Sequence, residues 1–316
     1  MSSSVKKKVL VTGSSGFIGS HLISKFNHLG YEVIKVSRSR KTASHVIKNI
    51  SGDTEWSDIL EDVEVIVHCA AAVHQMNLSE NTLNSYQQLN IEGTINLASK
   101  AAKAGVKRFI FISSIKVNGE KTPIGRPFLF DDPRRAEDPY GISKAKAEEG
   151  LEEIASKTNL EVTIIRPPLV YGPDVKANFA SLLKLASKNF PLPFGAINNK
   201  RSFVALDNLV DLIITCIDHP NAANQTFLVS DDNDVSTSEL YSVMVESFGK
   251  KAVLININPY FLRLLAQLFG KKEMIERLCG DLRIDISHTK NTLDWMPVVS
   301  LAEGVKKCAS SLISNK

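Results

Sequence analysis

The sequence predicts an α/β protein built on a doubly wound parallel sheet, with a smaller part added towards the C-terminus. Three observations carry this. Short apolar, β-branched runs alternate with helical patterns at the spacing of βαβ units. A glycine-rich turn, Gly13-Ser14-Ser15-Gly16-Phe17-Ile18-Gly19, joins the first of these runs to the first helical pattern. Later runs end in small residues, Ala70-Ala71-Ala72 and Ser113-Ser114, at the sheet edge where open α/β sheets bind their ligands.

The chain's 316 residues suffice for one large α/β domain or a core domain with a smaller partner. A net charge of +4, with Lys and Arg dispersed, argues against nucleic acid as a partner. Cys69, Cys216, Cys279 and Cys308 lack metal-ligand or redox spacing, so reduced thiols and no metal are expected. No stretch reaches the ~18 apolar residues of a membrane span, and Val9-Leu10-Val11 is too short for a signal peptide. The expectation is a cytoplasmic protein with no membrane partner. The most apolar late stretch, 260–269, contains Arg263 and Gln267 and reads as a helix packed on a core.

In chain order, Lys8 to Thr12 reads as a strand, and a helix follows with Leu22, Ile23 and Phe26 at helical spacing. Between them Gly13 allows a tight turn, Gly16 lets a pyrophosphate approach the backbone, and Gly19 lets the helix pack closely on the sheet. The free N–H groups where the helix starts, at Phe17 and Ile18, suit phosphate. Strand, glycines and helix in this order are the signature of a dinucleotide-binding, Rossmann-type sheet.

A second strand, 31–36, runs into Ser37-Arg38-Ser39-Arg40. NAD-preferring sites place an acidic residue near this point for the ribose 2′-hydroxyl. Two arginines stand here instead and suit a 2′-phosphate, which favours NADP(H) while keeping NAD(H) open. A third strand ends near Ile50, and Asp53 after it either accepts from an adenine amino group or starts a turn. Strands over 63–69 and 109–112 follow, and the alanines after the first leave room for a cofactor. The helix between them carries Asn90, which bridges strand ends or caps locally. Val162 to Arg166 is a further strand, and Pro167, Pro168 and Pro173 then give an irregular segment. Residues 1–170 thus read as a nucleotide-binding domain and 171–316 as mainly substrate-binding, the two sharing one compact body.

The chemistry gathers at Tyr140-Gly141-Ile142-Ser143-Lys144. Four residues apart on a helix, a phenol and an ammonium lie on one face. The cation lowers the phenol's pKa, and a phenol so tuned exchanges a proton with a hydroxyl near neutral pH. Ser114 ends a strand on the ligand edge, just ahead of this helix.

These residues resemble the extended short-chain dehydrogenase/reductases of the NAD-dependent epimerase/dehydratase family, in the branch of UDP-glucose 4-epimerase-like enzymes. The resemblance covers nearly the whole chain. It rests on the three glycines, Asp53, Ala70-Ala71, Asn90-x-x-Gly93-Thr94 and Ser113-Ser114-x-x-Val117-x-Gly119. It continues through Tyr140-x-x-x-Lys144, Arg166-Pro167, Tyr171-Gly172-Pro173, Arg201-x-Phe203 with Asp207, and Leu293-Asp294-Trp295-x-Pro297. It implies Ser114, Tyr140 and Lys144 as the catalytic group, the last two also touching the cofactor. It further implies cofactor contacts at Gly13, Gly16, Phe17, Ile18, Gly19, Ser37, Arg38, Asp53, Ala70, Ala71, Asn90, Pro167 and Val170. A UDP-sugar would be held by Ser114 and Arg201, with Arg277 or Arg283 on the diphosphate, and a homodimer is common in such proteins.

Departures narrow the reaction. The 4,6-dehydratases carry Asp-Glu after the catalytic Ser or Thr, and this chain has Ile115-Lys116. Asn118 stands where a Tyr is frequent, and Leu169 replaces an Asn that contacts substrate phosphate. The sugar pocket is expected from Gln75, Met76, Ile115, Lys116, Asn118 and the loop 191–195. The reading leans to an NADP(H)-dependent 4-ketoreductase acting on a UDP-4-keto-6-deoxyhexosamine in bacterial polysaccharide synthesis. The alternatives are a UDP-hexose 4-epimerase with tightly held NAD, and a non-enzymatic NADP-sensing regulator, which the intact Ser114, Tyr140 and Lys144 disfavour.

Overall fold

The computed structural model describes residues 7–39, 43–47, 49–72, 79–268 and 272–314. Arg40, Gln75 and Met76 lie outside them. The strands are β1 (Lys8–Thr12), β2 (Glu32–Ser37), β3 (His45–Val46), β4 (Val65–His68) and β5 (Arg108–Ile112). They continue with β6 (Glu161–Arg166), β7 (Leu169–Tyr171), β8 (Phe203–Ala205) and β9 (Gln225–Leu228). Seven of them form one parallel sheet in the order β3-β2-β1-β4-β5-β6-β9. Val9 to Thr12, Val65 to His68 and all of β5 are buried, which is why these runs are apolar throughout rather than alternating. The strand order reverses between β1 and β4, and that switch point opens a crevice at the strands' carboxyl ends.

Helices α1 (Phe17–Leu29) and α6 (Leu206–Asp218) cover one face, burying Leu22, Phe26, Leu209 and Ile213. On the other face lie α3 (Thr94–Lys103) and α4 (Pro139–Lys157), burying Leu97, Ala101, Ala147 and Leu151. Ahead of α3 come α2 (Glu80–Ser85) and a π-helical segment, Tyr86–Gly93. β9 follows residue 170 by a long way in sequence, so the main sheet uses chain from both sides of that position. The later elements are α5 (Ala177–Ser187), α7 (Thr237–Glu246), α8 (Pro259–Leu268), α9 (Lys272–Cys279), α10 (Ser287–Leu293) and α11 (Leu301–Ser314). Phe179, Leu183, Leu240, Met244 and Val305 build a core joining α5, α7 and α11.

Two expectations about strands fail. The third strand pairs only at His45 and Val46, well short of Ile50. Beyond it the backbone is bent by side chains, Ser51 N donating to Thr54 Oγ1 at 2.8 Å. The segment after Pro167-Pro168 is not irregular. Leu169–Tyr171 forms β7 and pairs in parallel with β8 in a second, two-stranded sheet. The four cysteines are free. Among the described residues no helix is long and apolar enough to cross a membrane, and no cluster of His, Cys, Asp and Glu is arranged to hold a metal.

Candidate active site

The glycine turn is pressed against the end of β4. Gly13 has φ 64°, and a Cβ there would lie 2.7 Å from Ala70 N. A Cβ on Gly19 would collide with the Gly13 carbonyl oxygen, so the third glycine closes the helix onto the turn itself rather than onto the sheet. Gly16 is the N-cap of α1, which has no side-chain cap and no acid in its first turn. The N–H groups at Phe17 and Ile18 are therefore open to an external acceptor. A Cβ on Gly16 would approach only the Gly13 oxygen, so no side chain obstructs that approach. This donor set fits a dinucleotide diphosphate.

At the end of β2, Ser37 Oγ donates to Ser39 O at 3.1 Å and accepts from Ser39 N at 3.2 Å. The resulting tight turn leaves the Arg38 side chain exposed. Asp53 is exposed beyond β3, its N–H on Ser51 Oγ at 3.4 Å.

Asn90 resolves the choice left by the sequence: it bridges. Its Oδ1 accepts from Ala72 N at 2.8 Å, and its Nδ2 donates to Ala72 O at 3.1 Å and to Ser143 Oγ at 2.9 Å. Ser143 Oγ in turn donates to Tyr140 O at 2.7 Å. One buried amide thus ties the chain after β4 to the first turn of α4, from within a π-helical segment of a kind found often at functional sites.

α4 starts sharply because Asp138 caps it, accepting from Gly141 N at 3.0 Å, with Pro139 at its first position. Lys144 is buried, and its Nζ donates to the carbonyl of Ile112, the last residue of β5, at 2.8 Å. The ammonium also stands 4.3 Å from the Phe111 ring centroid. Two residues beyond Ile112, Ser114 Oγ accepts from Lys116 N at 3.3 Å, which leaves its own O–H for another acceptor. Its neighbour Ser113 is buried, with Oγ donating to Glu148 Oε1 at 2.5 Å. Of the two serines, Ser114 is therefore the one whose hydroxyl hydrogen is left for an outside acceptor.

Burial pushes the Lys144 ammonium down to about 8, against the opposing effects of Cys69 and Glu148. The sequence has the Lys144 ammonium lower the Tyr140 phenol, but the fold itself acts in the other direction. Burial, then the charge of Asp138, then Tyr86 raise the phenol above its ordinary value. The two tyrosine rings meet edge-on at 6.0 Å. The capping carboxylate that starts the helix thus works against a phenolate. Burial alone would raise Asp138, but Lys116 and Gly141 N–H outweigh it and hold it below the usual range.

Residues 9–230 match the NAD dependent epimerase/dehydratase family. The chain belongs to that family. It is 47% identical, over 97% of its own length and 96% of the relative's, to a UDP-glucose 4-epimerase of Vibrio cholerae. The structure of UDP-glucose 4-epimerase from Thermotoga maritima, determined with UDP-glucose, superposes with a TM-score of 0.75 at 25% identity, covering 98% of this chain and 99% of that one. The NAD complex of Bacillus cereus UDP-glucuronic acid 4-epimerase shares the fold, with a TM-score of 0.77 at 22% identity and coverage of 98% and 99%.

For a family whose members handle sugars, the other expected positions divide clearly. Pro167 is buried and its carbonyl accepts from Ile115 N at 2.9 Å, which keeps it beside Ser114. Val170 lies in β7 against the core that α1 and α6 cover. Arg201 Nη1 donates to the carbonyls of Arg277 at 3.1 Å and Gly280 at 3.0 Å. Burial and then the charge of Arg277 lower Arg201, so two guanidinium groups face one region. Arg283 is committed elsewhere, with Nε on Asp234 Oδ2 at 2.8 Å.

Of the residues expected to shape the sugar pocket, Ile115 and Asn118 are buried. Asn118 Oδ1 accepts from Arg166 Nη1 at 3.1 Å, so this side chain serves the interior. Lys116 Nζ is held by Asp138 at 2.6 Å and Glu120 at 2.9 Å. In the 191–195 loop, Leu192 N donates to Val253 O at 3.2 Å and Gly195 N to Ile255 O at 3.0 Å. Sequence reasoning missed Glu148, whose carboxylate joins Ser113, Arg134 and Arg166. The spacing of 140, 144 and 148, one helical turn each, was the available signal.

Proposed function

We propose that this protein is an NAD-dependent UDP-hexose 4-epimerase. The observation carrying the proposal is the bond from Lys144 Nζ to Ile112 O, which brings the helix bearing Tyr140 and Lys144 to the strand end that Ser114 follows. The charge of Lys144 acts on Cys69, whose neighbour Ala70 abuts the Gly13 turn. The relation to the Vibrio cholerae enzyme supports epimerisation over net reduction. Tyr140 takes the proton from the C4 hydroxyl and later returns it, while Ser114 donates to the same oxygen. Lys144, fixed on Ile112 O, would keep its ammonium for the ribose hydroxyls of the cofactor. Bound in its oxidised form, NAD would supply the hydride acceptor and a positive charge that opposes the effect of burial on Tyr140. Asn90 holds the first turn of α4 so that the phenol keeps its aim.

The protein as purified, once denatured, is expected to release near-stoichiometric NAD, and it should interconvert UDP-glucose and UDP-galactose without added cofactor. A second reading, the NADP(H)-dependent 4-ketoreductase, is favoured by exposed Arg38 and by the lack of an acidic residue after β2. A site that releases no nucleotide, binds NADPH more tightly than NADH and does not epimerise would establish it.

In this reading Arg201 and Arg277 grip the diphosphate together while the sugar turns between hydride removal and return. Charge-assisted hydrogen bonds of this kind contribute about 1.5–3 kcal/mol. Arg277→Ala is thus expected to raise KM for the UDP-sugar by ~10–100-fold. Arg283→Ala should leave KM within about threefold. A reversed pattern in steady-state kinetics would move the diphosphate to Arg283.

A further inference from the structure

The stretch 260–269 was expected to pack on a core, and only one side of it does. Leu262 is buried with Ile197 and Ile275. On the opposite side of α8, Tyr260 (67% exposed), Phe261 (57%), Leu264 (47%) and Leu268 (75%) face solvent. At about 100° per residue these four fall within one stripe roughly 100° wide. Val253 and Ile255, on the segment leading into α8, add exposed apolar surface. Monomer surfaces rarely carry so many large apolar side chains together without a use for them.

Charge indicates what covers the stripe. Residues 247–276 hold five basic side chains (Lys250, Lys251, Arg263, Lys271, Lys272) against Glu273 and Glu276. Lys250 and Lys251 are exposed next to Val253. A second copy would bring two such surpluses together, whereas an anionic lipid surface complements both the charge and the apolar stripe. With ten residues, α8 is about 15 Å long, half of the ~30 Å hydrocarbon core, so it suits lying on a membrane and cannot span one. The expectation of no membrane partner concerned spans, and a surface helix escapes that criterion.

We propose that α8 and the segment before it form a docking surface for anionic membranes, with Tyr260, Phe261, Leu264 and Leu268 entering the headgroup boundary. The inference does not depend on the reaction assigned above. Co-sedimentation of the full chain with vesicles tests it, comparing phosphatidylcholine alone with an equal mixture of phosphatidylcholine and phosphatidylglycerol. Binding to the anionic vesicles is expected to be at least about tenfold stronger and to weaken with salt. Phe261→Asp with Leu264→Asp should reduce it at least about tenfold, with the thermal unfolding curve and UDP-sugar turnover in solution unchanged. Lys250→Glu with Lys251→Glu should also weaken it, and this variant serves if the first does not fold. Equal partition of wild type and folded variants would overturn the proposal. So would absence of vesicle binding together with a wild-type dimer that Phe261→Asp/Leu264→Asp dissociates, because the stripe would then belong to a second copy.

Discussion

Replacing Tyr140 with phenylalanine is expected to lower kcat by ~10²–10⁴-fold while leaving the protein as stable as before. The two halves of this expectation have separate grounds. The hydrogen bond made at this position is that of the backbone, Ser143 Oγ to Tyr140 O, and it survives the substitution. The ring contact with Tyr86 survives as well. What disappears is the phenol hydroxyl to which the proposed reaction assigns the proton transfer. The fold itself holds that phenol protonated, through burial and the Asp138 charge, so the group must gain its acidity when cofactor and substrate bind. An Asp138→Asn variant, which keeps a capping oxygen for Gly141 N–H, should therefore move the acidic limb of the kcat/KM profile to lower pH. Full activity in Tyr140→Phe, by direct assay of UDP-glucose formation from UDP-galactose, would remove this tyrosine from the reaction and with it the mechanism.

What could be read from the sequence was what is decided locally. In the Gly13–Gly19 turn Gly19 meets Gly13 within the motif itself, while the approach of Gly13 to Ala70 depends on a strand end far along the chain. The alternation of buried strands and amphipathic helices likewise carries its own signal. What escaped depends on partners distant in sequence. Asn118 looked like a pocket residue because it precedes Gly119, yet Arg166 claims it from β6. Leu169–Tyr171 looked irregular after two prolines, because its pairing partner β8 lies more than thirty residues on. Between Arg277 and Arg283 the sequence offered no preference. The structure shows what the sequence could not: Arg283 pairs with Asp234, and Arg201 donates to the backbone carbonyl of Arg277.

Removal of the Glu148 carboxylate should be the most destabilising single change near the site, by about 3–5 kcal/mol for Glu148→Ala. Glu148 is fully buried, yet it accepts from Arg166 Nε at 2.9 Å and Nη2 at 2.6 Å, from Arg134 Nε at 2.9 Å and from Ser113 Oγ at 2.5 Å. The ion pair with Arg166 is a fork between planar groups, both out of water. Deleting one partner strands the other's charge in the interior, which is why the loss exceeds the net worth of the pair. Arg166→Ala is expected to be similarly damaging, for it abandons both Glu148 and Asn118. Because each single variant already forfeits the shared interaction, Glu148→Ala/Arg166→Ala should fall short of the sum of the two by at least about 1 kcal/mol in urea unfolding. Strict additivity would mean that the two side chains do not act as a unit. The consequence reaches the chemistry through the chain itself: Ser113 is held by Glu148, Ser114 is the next residue, and Lys144 sits one turn before Glu148 on the same face of α4. The ion pair that stabilises the core in this way also holds the strand end bearing the serine and the tyrosine–lysine helix in one fixed relation.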